Sequence, residues 1–195
     1  MELINLQMYL AESAAKHSHL CPRQVLGVRL ALAGMNALGL TVPCSDKQLM
    51  AIVETDGCFS DGVSAVTGAS VSHRTLRVED FGKVAVTLVD TISETAFRVS
   101  PQIDVRQRAG MYAPGEDRPY FAQLTGYQFM PDKELVDLRR VELYPGVKSL
   151  VSLPGMRAVC ERCGEEILNE RQVIQKGLVL CRACAGYAYY RTVVK

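Results

Sequence analysis

The sequence predicts an α+β core followed by a small zinc-binding module. Three observations carry this. Helical and strand patterns are mixed, without the regular βαβ alternation of a doubly wound sheet. Of seven cysteines, four stand as two Cys-x-x-Cys pairs near the C-terminus. The 195 residues are 48% hydrophobic and 22% charged, which suffices for a buried core and excludes wholesale disorder.

Residues 3 to 15 place Leu3, Leu6, Leu10 and Ala14 at helical spacing. A second helix runs from Pro22, which suits a first turn, to Leu38, with Gly39 just past its end. Leu49 to Val53 reads as a short buried strand, and Asp61 to Thr67 as a helix stopped by Gly68. Val84, Val86 and Leu88 alternate with Ala85, Thr87 and Val89 as a strand. Ser93-Glu94-Thr95 turns it into Ala96 to Val99, a hairpin. Pro101, Gly110, Pro114, Gly115 and Pro119 make 101–119 irregular, and a helix and a strand follow between Tyr120 and Leu143. Tyr144-Pro145-Gly146 and Leu153-Pro154-Gly155 mark a linker. The expected division is therefore a core over 1–150 and a module over 156–195.

A net charge of +1 argues against a protein built mainly to coat nucleic acid or an anionic membrane. The first residues, Met1-Glu2-Leu3-Ile4-Asn5, carry no basic segment ahead of an apolar stretch, so no signal peptide is expected. The longest apolar run, Leu30 to Val42, is interrupted by Gly34, Asn36 and Gly39 and is too short to span a bilayer. The expected location is the cytoplasm. There, an odd number of cysteines with this spacing favours metal over disulfides.

Cys160-x-x-Cys163 and Cys181-x-x-Cys184 are separated by seventeen residues, a spacing that lets four thiolates surround one tetrahedral zinc ion. Cys163-Gly164 suits a zinc knuckle. Glu166 to Leu180 has the apolar residues of a β-hairpin turning at Lys176-Gly177, and the second pair would open a helix from Arg182 to Tyr190. This order of knuckle, hairpin and helix-borne pair resembles a treble-clef finger. Four ligands leave no open position, so the zinc is structural, and so small a module needs the metal to fold. Tyr187, Tyr189 and Tyr190 suit base stacking, the finger's own core, or a partner surface, with docking favoured over nucleic acid.

A second constellation lies near the N-terminus. His17, His19 and Cys21 alternate in His17-Ser18-His19-Leu20-Cys21-Pro22. On an extended stretch all three face one way; on a continuing helix, His17 and Cys21 share a face. Cys21 precedes a helix, a position that lowers a thiol's pKa. Cys58 sits in Glu54-Thr55-Asp56-Gly57-Cys58-Phe59-Ser60-Asp61-Gly62, between a strand and a helix, with Glu54 and Asp61 as carboxylates for a metal or for proton transfer. Buried cysteines and hydrogen-bonded histidines without function are the alternative. Cys44 has no polar cluster around it and reads as structural.

These segments resemble the FmdE family of formylmethanofuran dehydrogenase proteins. His17, His19, Cys21 and Pro22, then Gly27 and Arg29, match its first motif. Glu54, Cys58, Asp61 and Gly62 match its second, and Thr67-Gly68-Ala69-Ser70 its third. Leu76, Asp80, Gly82, Lys83 and Ala85 follow in order, as do Phe97 to Pro101 and Met130-Pro131-Asp132 with Leu135. Cys160 to Glu165 resembles the finger that members often carry. The resemblance implies an α+β core, an auxiliary treble-clef zinc finger and a homodimer. It also implies one pocket holding His17, His19, Cys21 and Cys58, with a transition metal, zinc foremost, bound there.

The chain departs from the family at Arg23, where glycine is usual, and at Ala69, where a second cysteine is frequent; His73 lies four residues beyond. Lys83 either offers a cation to a substrate or pairs with Asp80. No motif for a pterin or an iron–sulfur run is present. Three functions follow. The first is a metal-binding accessory subunit or helper of a molybdenum or tungsten oxidoreductase. The second is a free-standing enzyme using Cys58, Cys21, Asp61 and Lys83 as catalytic residues. The third, least favoured, is a nucleic-acid-binding regulator.

Overall fold

The computed structural model describes residues 3–15, 17, 19–44, 47–151 and 155–193, with residues 3 and 4 described as backbone only. The side chain of Leu3 and the linker residues Leu153 and Pro154 lie outside the described residues. The chain forms two compact units, residues 1–144 and 145–195.

Unit one begins with α1 (Leu3–Ala15) and α2 (Pro22–Leu38), followed by β1 (Leu49–Val53) and α3 (Cys58–Thr67). Then come β2 (Leu76–Val78), β3 (Val86–Asp90) and β4 (Thr95–Pro101). The one-turn α4 (Val105–Arg108), a 3-10 turn (Ala109–Tyr112), α5 (Pro119–Phe129), the one-turn α6 (Asp132–Leu135) and β5 (Val136–Val141) complete it. The sheet order is β2-β1-β3-β4-β5, parallel between β1 and β2 and antiparallel elsewhere. The mixed α+β expectation holds.

Alternate residues of the sheet build the core. Leu49, Ala51 and Val53 of β1, Leu88 of β3 and Val99 of β4 join Val25 and Leu30 of α2 and Val63 and Val66 of α3 in one buried cluster. Gly34 of α2 makes room for Leu88 and Val99, so the helix lies close on the sheet.

Gly27 and Gly62 bring α2 and α3 into backbone contact. A Cβ on Gly27 would strike the Phe59 carbonyl, and one on Gly62 the Gln24 carbonyl. Arg29, buried in α2, donates to the carbonyls of Tyr127 (2.6 Å) and Met130 (2.7 Å) and to Asp132 Oδ1 (2.6 Å). Its cation thus caps the C-terminal end of α5, where the helix dipole is negative.

Several boundaries differ from expectation. The third helix starts at Cys58 rather than Asp61, because Gly57 takes φ +75° and ψ −152°, which only glycine adopts without strain. The third strand starts at Val86, two residues after Val84. β2 carries no alternation long enough to be read, and 101–119 contains short helical turns.

Unit two holds α7 (Val147–Leu150), β6 (Arg157–Val159), β7 (Glu166–Leu168), β8 (Val173–Gln175) and β9 (Leu178–Leu180). The single expected hairpin is two. β6 pairs with β7 around the first cysteine pair, and β8 with β9 around Lys176-Gly177. The break has a local cause: Asn169 and Glu170 both take left-handed conformations, φ +56° and +55°, which end β7. The expected helix from Arg182 to Tyr190 is one turn, Ala183–Tyr187, because Gly186 at φ +103° stops it.

Candidate functional site

The four finger cysteines close on one another. The sulfurs of Cys160, Cys163, Cys181 and Cys184 all lie within 4.8 Å of each other, and among the described residues no other group of three or more His, Cys, Asp and Glu does so. The backbone N–H groups of Cys181, Cys163 and Arg162 point at the Cys160 sulfur and hold its pKa down to about 6, against the opposing effect of burial. Burial, with the neighbouring sulfurs, pushes the Cys184 thiol up to about 12. Four such sulfurs cannot all ionise without a compensating cation, and their number and spacing fit a tetrahedral zinc ion.

In the core, two thiols meet. Cys21 is the N-cap of α2 and Cys58 the first residue of α3, so the Gly27–Gly62 crossing draws both helix starts together. The Cys21 sulfur stands close enough to Cys58 to oppose its ionisation. Cys21 is buried and its backbone is fixed: its N–H donates to Gln24 Oε1 (2.8 Å), while Gln24 Nε2 donates to the Ser13 carbonyl of α1 (2.9 Å). Burial first, then Cys21, raises the Cys58 pKa above the ordinary thiol range. At neutral pH Cys58 is a thiol. Desolvation and a neighbouring sulfur both oppose the anion.

One turn into α3, Asp61 Oδ2 lies 2.6 Å from His17 Nε2. The half-buried pair leaves His17 Nδ1 for another partner. Ligating histidines often show this pattern, with one ring nitrogen fixed by a carboxylate and the other turned to a metal. His19 is exposed. The structure thus brings together Cys21 with Cys58 and His17 with Asp61, as two pairs flanking one turn of α3.

Other anticipated residues sit elsewhere. The Glu54 carboxylate is gripped by Arg98, whose Nε and Nη2 donate at 2.6 and 2.7 Å, so it is committed to the sheet. Among the described residues Asp80 and Lys83 form no ion pair; Asp80 accepts the Gly82 N–H instead (3.0 Å). Lys83 is exposed. His73 bonds Ser70 Oγ (3.1 Å), and Arg23 is exposed.

Tyr120, at the start of α5, is a residue that sequence reasoning misses. Burial first, then the Cys21 and Cys58 sulfurs, raises its phenol pKa, so it stands within electrostatic reach of the pair. No local motif marks it; only the tertiary return of α5 does.

Residues 16–135 match the family described as FmdE, molybdenum formylmethanofuran dehydrogenase operon. The chain belongs to the FmdE family. Residues 155–190 match the prokaryotic dksA/traR C4-type zinc finger. A crystal structure of a tungsten formylmethanofuran dehydrogenase FmdE-like protein from Syntrophus aciditrophicus shares the fold, with a TM-score of 0.58 and 21% identity over 95% of each chain. A curated relative from Archaeoglobus fulgidus is named a probable S-adenosyl-L-methionine-binding protein. It is 29% identical over 200 residues, covering 91% of this chain and 52% of its own length. The chain thus spans about half of that relative. No described helix of this FmdE protein is long and apolar enough to cross a membrane.

Proposed function

We propose that this FmdE protein binds a second transition metal, zinc foremost, in its core, and serves as an accessory subunit or helper of a molybdenum or tungsten oxidoreductase of the formylmethanofuran dehydrogenase type. One observation carries the metal reading: Cys21 and Cys58 meet at two helix starts, one turn of α3 from a carboxylate-held His17. Two sulfurs and an imidazole are a donor set suited to zinc. His19, two residues from His17 and from Cys21, is the fourth ligand in this reading, and Asp61 orients His17. The bound metal would polarise a small substrate or hold the thiolates for transfer. In this reading Asp61, one turn of α3 from Cys58, also takes up the proton that Cys58 releases on binding the metal.

The accessory role is supported by the family's operon description and by the finger, which offers a docking module separate from the core. Homodimerisation and a cytoplasmic location belong to the same reading, the latter supported by seven cysteines of which none is in a disulfide. A second reading rests on the Archaeoglobus relative: the core binds S-adenosyl-L-methionine. Titration calorimetry with that ligand and the metal-free protein tests it.

Elemental analysis tests the metal reading. Wild type should carry two metals per chain, and Cys58→Ala and Cys184→Ser one each. A Cys58→Ala protein with unchanged content, or with both metals lost, would overturn the two-site reading.

A further inference from the structure

The geometry points to a separate binding site for a small organic anion, a carboxylate or a phosphate, in a cavity of about 400 Å³ between α2, the 82–84 turn, β4, α4 and α5. Its walls include Lys83, Arg98 and Arg106 and no carboxylate. Arg98 is neutralised by Glu54. Lys83 and Arg106 form no ion pair among the described residues: on the same short helix, Asp104 is taken by Arg108 instead.

The second observation is Tyr127. It is 1% exposed, lines this cavity, and its hydroxyl, which makes no hydrogen bond of good geometry, is approached by the Arg106 guanidinium. Buried hydroxyls are almost always well paired, so one this poorly paired, beside a cation on the cavity wall, marks where an acceptor binds. Arg106 lies beside this hydroxyl. Lys83 is held at the mouth by its own backbone, whose N–H donates to the Glu54 carbonyl (3.0 Å). Leu26 and Val84 supply apolar contact for the body of the ligand. A carboxylate or phosphate oxygen here accepts from Tyr127 and is paired by Arg106 and Lys83.

The probes are inorganic phosphate and succinate, titrated separately into the full-length protein by calorimetry at constant ionic strength. Saturable binding of phosphate alone assigns a phosphate ligand, and of succinate alone a carboxylate ligand. Arg106→Gln should weaken the binding about tenfold or more, as loss of a charge-assisted contact does. Tyr127→Phe should weaken it severalfold without lowering the melting temperature, since that hydroxyl makes no hydrogen bond of good geometry in the free protein. Cys58→Ala should still bind the anion saturably, which separates this site from the thiol pair. No saturable binding of either probe, or binding indifferent to both Arg106→Gln and Tyr127→Phe, overturns the assignment.

Discussion

Asp61 holds His17 by a 2.6 Å contact and stands one helical turn from Cys58. If it orients a ligating imidazole, Asp61→Asn should weaken core metal binding by about 10- to 100-fold, the usual cost of losing such a partner. Competition against a coloured zinc chelator measures this, and the finger's metal should be unaffected. A purely structural His17–Asp61 pair would leave both affinities in place. The two histidines and two cysteines are visible in the chain because chemistry-bearing residues cluster at short spacing. Tyr120 is not, because it lies about a hundred residues beyond Cys21 and only the fold brings them together.

Among the elements, the α2–α3 crossing governs the site. Gly27→Ala would drive a methyl into the Phe59 carbonyl, with backbone rather than a yielding side chain on the far side. It should cost about 1–3 kcal/mol in urea unfolding and separate the two thiols. A Gly27→Ala protein of wild-type stability would mean the helices part freely. The β3–β4 hairpin is pinned by Asp90. Burial pushes its pKa up, but the Ser93 hydroxyl (2.6 Å), the Ile92 N–H and the Gln48 amide outweigh burial and leave it lowered. A lowered folded-state pKa gives stability that is present above the unfolded value and is lost as pH falls through the folded one. Wild type should therefore lose more stability than Asp90→Asn as pH drops below about 4. Equal losses in the two proteins would remove Asp90 from the account. These elements differ in how far the sequence announces them. α2 has an apolar period, a first-turn proline and a terminal glycine. β2 is three residues paired in parallel at an edge, and nothing in Leu76-Arg77-Val78 specifies that partner. In the finger, the hairpin is divided by two left-handed residues, neither of them glycine, so no turn residue gives warning.

At the scale of the whole molecule, two units follow different rules. The core buries a continuous cluster from α1 to α6, whereas the finger's fully buried hydrophobic cluster is Cys160, Ile167 and Leu180. So small a cluster is stabilised chiefly by its metal, whose binding is worth about 10 kcal/mol or more in comparable fingers. A strong chelator should abolish amide protection across residues 157–187 while β1, β3 and β4 stay protected in hydrogen exchange. Simultaneous loss would show that the core, too, depends on metal for its fold. Helix α5 adds a constraint of another kind. It carries Tyr120 within electrostatic reach of the thiols and Tyr127 on the cationic cavity, two turns apart on one rod, with Arg29 clamping its far end. A ligand that shifts this rod at one end changes the free energy of occupancy at the other. Linkage makes the effect reciprocal: by whatever factor an anion alters metal affinity, metal alters anion affinity by the same factor.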